Sequence, residues 1–435
     1  QVRPFRRFTT MLDRILRGSP LRRTAVTVAL VGAVVAAGTG CDEVIEEDCF
    51  EQQGTLTQVT TDTLTVDHFD AALSPDGTRI AFSSDYWTGL DRFQNAGLKQ
   101  EGQRDIAVIE VPGPDENRPP TDRLENIGDA RRIDFTGLVD VAGQQIDAVN
   151  SFKSEVVWVD NQTLAVTMTD FFGFDRIFLV ELGPRTDLDE ISVIQRGIVE
   201  EEFLAENAEN RRIQYFHRTP AVSPNGEWIA YSRFFLDLGA NLFDDADDEF
   251  SQPAIHAYNL NDGRIVRVTN GSLREDQPTW SPDGRFIAFT ANLGAAGQPE
   301  IYRVPFDPDA PAEPREPGGA FTDGRQRLTN TVDQLKLPES SLDPTWLRNG
   351  QIVFTSTQRP PCTSQRIRNL WIMNGDGSNR RPLVVSDEDD NFPFAANYDF
   401  NDPMADDMIV FSSRRNPDDS FEGQKMDLWV LRGGF

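Results

Sequence analysis

One short unit recurs along this chain and limits what it can fold into: Ser-Pro-Asp-Gly, or a near variant, set between two apolar segments. Clear copies span residues 72–83, 220–232 and 278–290, and weaker ones span 156–167, 344–355 and 394–412. Pro at the second position presets φ, Ser or Asn at the first bonds its own backbone, and Gly at the fourth tolerates positive φ, so the unit reads as a hairpin corner. A calcium or phosphorylation reading fits poorly, because the acidic residue is single and the flanks are strand-like.

After each hairpin comes a third apolar segment, at residues 105–111, 176–182, 254–260, 300–306, 369–373 and 427–431. Several continue through a Gly-containing turn to a fourth, at 264–269, 325–329 and 380–385. Four antiparallel strands repeated six times predict an all-β fold: a six-bladed β-propeller of four-stranded antiparallel blades. The sixth repeat lacks a fourth segment of its own, while residues 54–60 resemble the fourth strands of other repeats. This N-terminal strand is expected to pair into the last blade, closing the ring and covering an edge prone to aggregation.

The Pro-x-Trp-Ser-Pro-Asp-Gly-x-x-Ile-Ala-Phe pattern, clearest from Pro278 to Phe289, resembles the repeat of the TolB-like six-bladed propellers, shared by propellers attached to prolyl-oligopeptidase-type enzymes. The resemblance covers residues 54–435 and implies a fold and a location more than an activity. TolB itself carries an α/β domain ahead of its propeller, so partner contacts made through that domain are not carried over.

The amino end reads as a processing segment. Gln1 is not a start residue, and Met11 precedes a basic stretch (Arg14, Arg17, Arg22, Arg23), an apolar run at residues 25–37, and Gly38-Thr39-Gly40-Cys41. That order suits a signal peptide over residues 1–40, with 1–10 upstream of the true start, and the run is short for a membrane span. It resembles a bacterial lipoprotein signal, which implies lipid on Cys41; Gly38 stands where such signals usually have Leu. The alternative is an ordinary secretory peptide or an uncleaved anchor. Residues 41–53 then form an acidic tether. Cys49 and Cys362 remain, as a disulfide in an oxidising compartment or as two thiols. The expected location is the periplasm or cell envelope, inner versus outer membrane being open.

With 42 Lys and Arg against 70 Asp and Glu, the net charge is −28, which argues against a nucleic-acid partner. No Gly-x-Ser-x-Gly occurs, so a serine hydrolase is rejected and no catalytic residue is assigned. His68 and His217 each lie six residues before the Ser of a corner, and Glu275 holds that place before Ser281. Equivalent positions of a propeller converge around one channel mouth, so these three are the candidate site there, as a transition-metal site or, more in keeping with so few His, a polar ring without metal. No cofactor is expected. The acidic runs at 244–249 and 387–390 lack the pattern of a calcium loop and read as solvated.

Long insertions at 86–104 and 234–251 share the face of the blade-joining loops. Their aromatics Trp87, Phe93, Phe234, Phe235 and Phe243 are candidate partner contacts; the alternative is that they anchor loops to blades. The functional expectation is a lipid-anchored, monomeric, non-catalytic scaffold binding an envelope protein or wall-associated partner. The alternative is a carbohydrate-binding or carbohydrate-active propeller.

Overall fold

The computed structural model describes residues 53–60, 67–85, 104–112, 130–135, 138–141, 144–147, 152–169, 175–185, 191–197, 205–206, 212–237, 249–271, 274–292, 297–313, 320–330, 339–360, 367–386, 388–395, 408–415, 426–433 and 435. Cys41, Cys49, Trp87, Phe93, Phe243 and Cys362 lie outside them.

Six four-stranded antiparallel blades form a β-propeller. Blade 1 is built from His68–Leu73, Arg79–Ser84, Asp105–Glu110 and Arg131–Asp134; blade 2 from Phe152–Trp158, Thr163–Thr169, Asp175–Arg185 and Ile191–Gly197. Blade 3 uses Arg212–Val222, Trp228–Asp237, Ala254–Asn259 and Ile265–Arg267, and blade 4 uses Glu275–Trp280, Phe286–Ala291, Glu300–Pro305 and Gln326–Arg327. Blade 5 runs through Ser341–Trp346, Gln351–Ser356, Asn369–Asn374 and Arg381–Val384. Blade 6 has Asp390–Ala395, Met408–Ser413 and Asp427–Arg432, and takes its fourth strand, Thr55–Gln58, from the amino side of the chain.

That closure follows the register expected from sequence: Leu56 lies opposite Leu431 and Gln58 opposite Trp429. Thr60 locks the joint, its hydroxyl donating to Asp427 (3.1 Å) and accepting from the Leu428 N–H (2.9 Å). Two features were not foreseen. The outer strands of blades 1 and 2 pair in parallel, Ile191 opposite Ile133, and a separate hairpin, Leu138–Val141 with Gln144–Asp147, lies between them in sequence.

The corners work as their composition requires. Ser74 Oγ donates to Asp76 (2.6 Å) and accepts from the Arg79 N–H (2.9 Å), and Gly77 sits at φ +69°. Ser223 with Asn225 and Ser281 with Asp283 repeat the arrangement. Six buried clusters then lie one per blade junction. Ala72 and Val108 of blade 1, for example, join Trp158 and Leu164 of blade 2, and Val410 and Val430 of blade 6 close the ring against Leu73 and Phe82 of blade 1. Each sheet buries both faces, which is why its central strands read as continuous apolar runs and not as alternations.

Among the described residues no helix is long and apolar enough to cross a membrane. Residues 234–237, assigned to a loop from sequence, continue the second strand of blade 3. Phe234 stacks on Phe216 (4.5 Å between ring centres) and Phe235 meets Tyr215 edge-on (5.8 Å), and such cross-strand aromatic pairs extend a hairpin.

Candidate functional site

Every innermost strand carries a β-bulge. The register slips between Phe69 and Ala72, Ser154 and Val156, Arg218 and Ala221, Asp276 and Thr279, Leu342 and Thr345, and Asn391 and Phe394. At each slip one residue adopts positive φ, between 49° and 54°: Asp70, Glu155, Thr219, Gln277, Asp343 and Phe392. Non-glycine residues rarely take this conformation, and bulges re-aim side chains. Here they turn six side chains, one per blade, toward the propeller axis. Four of them precede Pro (Pro220, Pro278, Pro344, Pro393), which an innermost strand tolerates because its free edge faces the channel.

The six residues are joined by hydrogen bonds that run in one direction around the ring. The Glu155 N–H donates to Asp70 Oδ2 (3.4 Å), Thr219 N–H to Glu155 Oε2 (2.7 Å), Gln277 N–H to Thr219 Oγ1 (3.4 Å) and Asp343 N–H to Gln277 Oε1 (3.3 Å). The Phe392 N–H donates to the Asp343 carboxylate, and the Gln277 amide also donates to that carboxylate. At the sixth junction Phe392 has no acceptor to offer, and its ring packs edge-on against Phe69 (6.4 Å).

These residues and those just after them line an axial cavity of about 180 Å³, whose wall includes Trp280 and Phe394. Phe394 packs against the junction clusters of blades 1 and 2, 2 and 3, and 6 and 1, so its side chain crosses the axis on the corner side of the ring. Among the described residues the cavity lining contains no Ser, Cys, His or Lys.

Burial dominates the electrostatics. It raises Asp70 above the usual carboxylate range against the opposing charge of Arg104. It raises Asp343 to about 7 against Arg368. Glu155 is pushed up to about 8, first by burial and then by its neighbours Asp276 and Asp70. Arg104 stacks over Phe69 (3.9 Å), and Arg368 donates to Asn391 (3.0 Å).

His68, His217 and Glu275 do occupy equivalent positions, two residues before the ring, but all three are fully buried and none lines the cavity. His68 bonds Ser84 through Nδ1 (2.9 Å) and meets Phe82 edge-on. His217 packs edge-on against Tyr231 (5.2 Å), and burial, reinforced by Arg233 and Arg176, lowers it well below the usual histidine range. Glu275 accepts from the Thr269 hydroxyl and pairs with Arg325 Nη1 (2.6 Å); burial raises it and Arg325 opposes. Among the described residues no group of three or more His, Cys, Asp or Glu is arranged to hold a metal ion. Phe234 is buried and Phe235 half-buried, both within the blade 3 hairpin.

The ring itself was missed from sequence, although a signal exists: its members stand four places before the first residue of each corner, and usually directly before the Pro of the repeat.

No family model matches the chain. Solved structures similar to it include an Agrobacterium tumefaciens protein assigned as TolB, 14% identical over 89% of this chain and 100% of that one, with a TM-score of 0.43. TolB from Acinetobacter baumannii is 13% identical over 83% of this chain and 65% of that one, at a TM-score of 0.38. Trypanosoma rangeli sialidase in complex with the inhibitor DANA is 9% identical over 88% and 58%, at 0.44.

Proposed function

We propose that this TolB-like propeller is a non-catalytic interaction scaffold of the periplasm or cell envelope. It is held there by lipid on Cys41 and engages a protein or wall-associated partner over the axial cavity. The observation that carries this reading is the cavity's construction: one side chain from each of six blades, held by hydrogen bonds from blade to blade around a central space. Such a site is organised before any partner arrives, which lowers the ordering cost of binding.

Replacing Phe392 with a photoreactive phenylalanine and irradiating intact cells tests it. A discrete cross-linked protein is expected, and no cross-link from this position would refute the reading. Cys41→Ser should move the protein from the membrane to the soluble fraction.

A second reading, a carbohydrate-active propeller, draws on one observation. Glu155, raised to about 8, keeps its proton at neutral pH, the state a general acid needs. Hydrolysis of aryl glycosides, abolished by Glu155→Gln, would favour it over the scaffold.

A further inference from the structure

Five of the six junctions of the ring use a side-chain acceptor, and none of them needs a charge. Thr219 and Gln277 provide one as neutral groups, receiving the N–H of the next blade just as Asp70 and Glu155 do. Three carboxyl groups in a desolvated ring, with Asp276 beside them accepting from the Thr219 hydroxyl (2.7 Å), cost more than the fold needs. Two of them face cations, Asp70 Arg104 and Asp343 Arg368. The charged neighbours acting on Glu155 are both carboxylates, Asp276 and Asp70.

A second, independent feature lies behind the ring. The second strand of each blade places a buried hydroxyl at one register level: Ser83, Thr167, Ser232, Thr290, Thr355 and Ser412. In blade 1 this position faces the ring, since Ser83 Oγ donates to Asp70 Oδ2 (3.3 Å). The hydroxyls of Thr290 and Ser412, 4% and 0% exposed, reach no hydrogen-bond partner among the described residues. The carboxyl groups of the lining thus carry more negative charge than the stitching uses, with unsatisfied hydroxyls in the strands behind them.

We infer that the axial cavity receives a single organic cation, a primary ammonium or guanidinium group, seated against Glu155 and Asp70, with Asp276 adding negative charge from behind the lining and Phe392 beside Asp70 in the ring. This rests on the scaffold reading and specifies it: the group is a Lys or Arg side chain that the partner inserts along the axis. A divalent metal fits less well, since no three of these groups are arranged as a ligand set. An aromatic wall favours an organic cation through its ring face. The net charge of −28 draws such a partner in from solution.

The test uses the whole protein and three acetylated pentapeptide amides, Gly-Gly-X-Gly-Gly with X as Lys, Arg or Gln, titrated by calorimetry and by Trp280 fluorescence. The Lys or Arg peptide should bind at least about tenfold tighter than the Gln peptide. That preference should vanish in Glu155→Gln, which keeps the acceptor for the Thr219 N–H, and shrink in Asp276→Asn. Affinity for the Lys peptide should rise from about pH 6 to about pH 9, because seating the cation expels the Glu155 proton, and Asp343 on the same ring, raised to about 7, becomes charged over the same interval with Asp70, Arg104 and Arg368 nearby. n-Butylammonium binding as tightly as the Lys peptide would support the site with a free amine as its source. Equal binding of Lys and Gln peptides, an unchanged preference in both variants, or stoichiometric Ca²⁺ displacing the Lys peptide would overturn the inference. Persistence of the Phe392 cross-link in Glu155→Gln would leave the scaffold reading standing while this inference fell. Absence of the cross-link from photoreactive Phe392 in an otherwise unaltered chain, with peptide discrimination intact, would do the reverse.

Discussion

Glu155→Gln offers a quantitative test of how the ring is held. The amide preserves shape and an acceptor for the Thr219 N–H, so the stitch survives while the ionisable proton disappears. In the folded chain Glu155 titrates at about 8, against an ordinary value of 4.5. The native state therefore binds a proton that the unfolded state releases, and stability falls as pH rises between those two values. Each pH unit in that interval costs about 1.4 kcal/mol, so the penalty approaches roughly 5 kcal/mol once the pH exceeds the folded value. Wild type and variant should differ little near pH 5, and the variant should gain on the wild type as pH rises, levelling off above about pH 8 by up to roughly 5 kcal/mol. Urea unfolding in a series of buffers, followed by tryptophan fluorescence, measures the difference directly. A gap between the two proteins that stays flat from pH 5 to pH 9 would show that Glu155 is not desolvated as described and that its charge is not surplus to the fold.

Other perturbations probe the remaining joints. Arg325→Met leaves Glu275 and Asp323, both fully buried, without their cation, and should destabilise the fold by about 3–5 kcal/mol in denaturant unfolding. Trp280→Phe removes the indole donor to the Ala221 carbonyl of blade 3 (3.0 Å) and should cost about 1–3 kcal/mol by the same measurement. Deleting residues 54–60 uncovers the edge of Asp427–Arg432, so size-exclusion chromatography should show self-association that the intact chain lacks.

How much of this was legible beforehand differs between the two levels. The corner motif carries its own geometry: Ser, Pro, Asp and Gly fix a tight turn from local chemistry alone, and six such turns between apolar runs leave few architectures open. Even the closing strand was readable, because Leu56 and its neighbours resemble fourth strands elsewhere in the chain. His68, His217 and Glu275 stand at equivalent points of their strands, as expected, yet their side chains fall between blades, and the cavity is lined by Asp70, Thr219 and Gln277 instead.

The physical reason is the bulge. A strand's period of two assigns alternate residues to opposite sheet faces, and nothing local to Asp70 or Gln277 announces the positive φ that breaks the alternation and swings them to the axis. The ring of hydrogen bonds joins residues far apart in the chain, such as Thr219 to Glu155 and Glu155 to Asp70. Local chemistry thus determined the turns, the strands and their sixfold repetition. Which side chains meet, and which carboxyl groups lose their water, was decided only when six separately encoded hairpins closed around one axis.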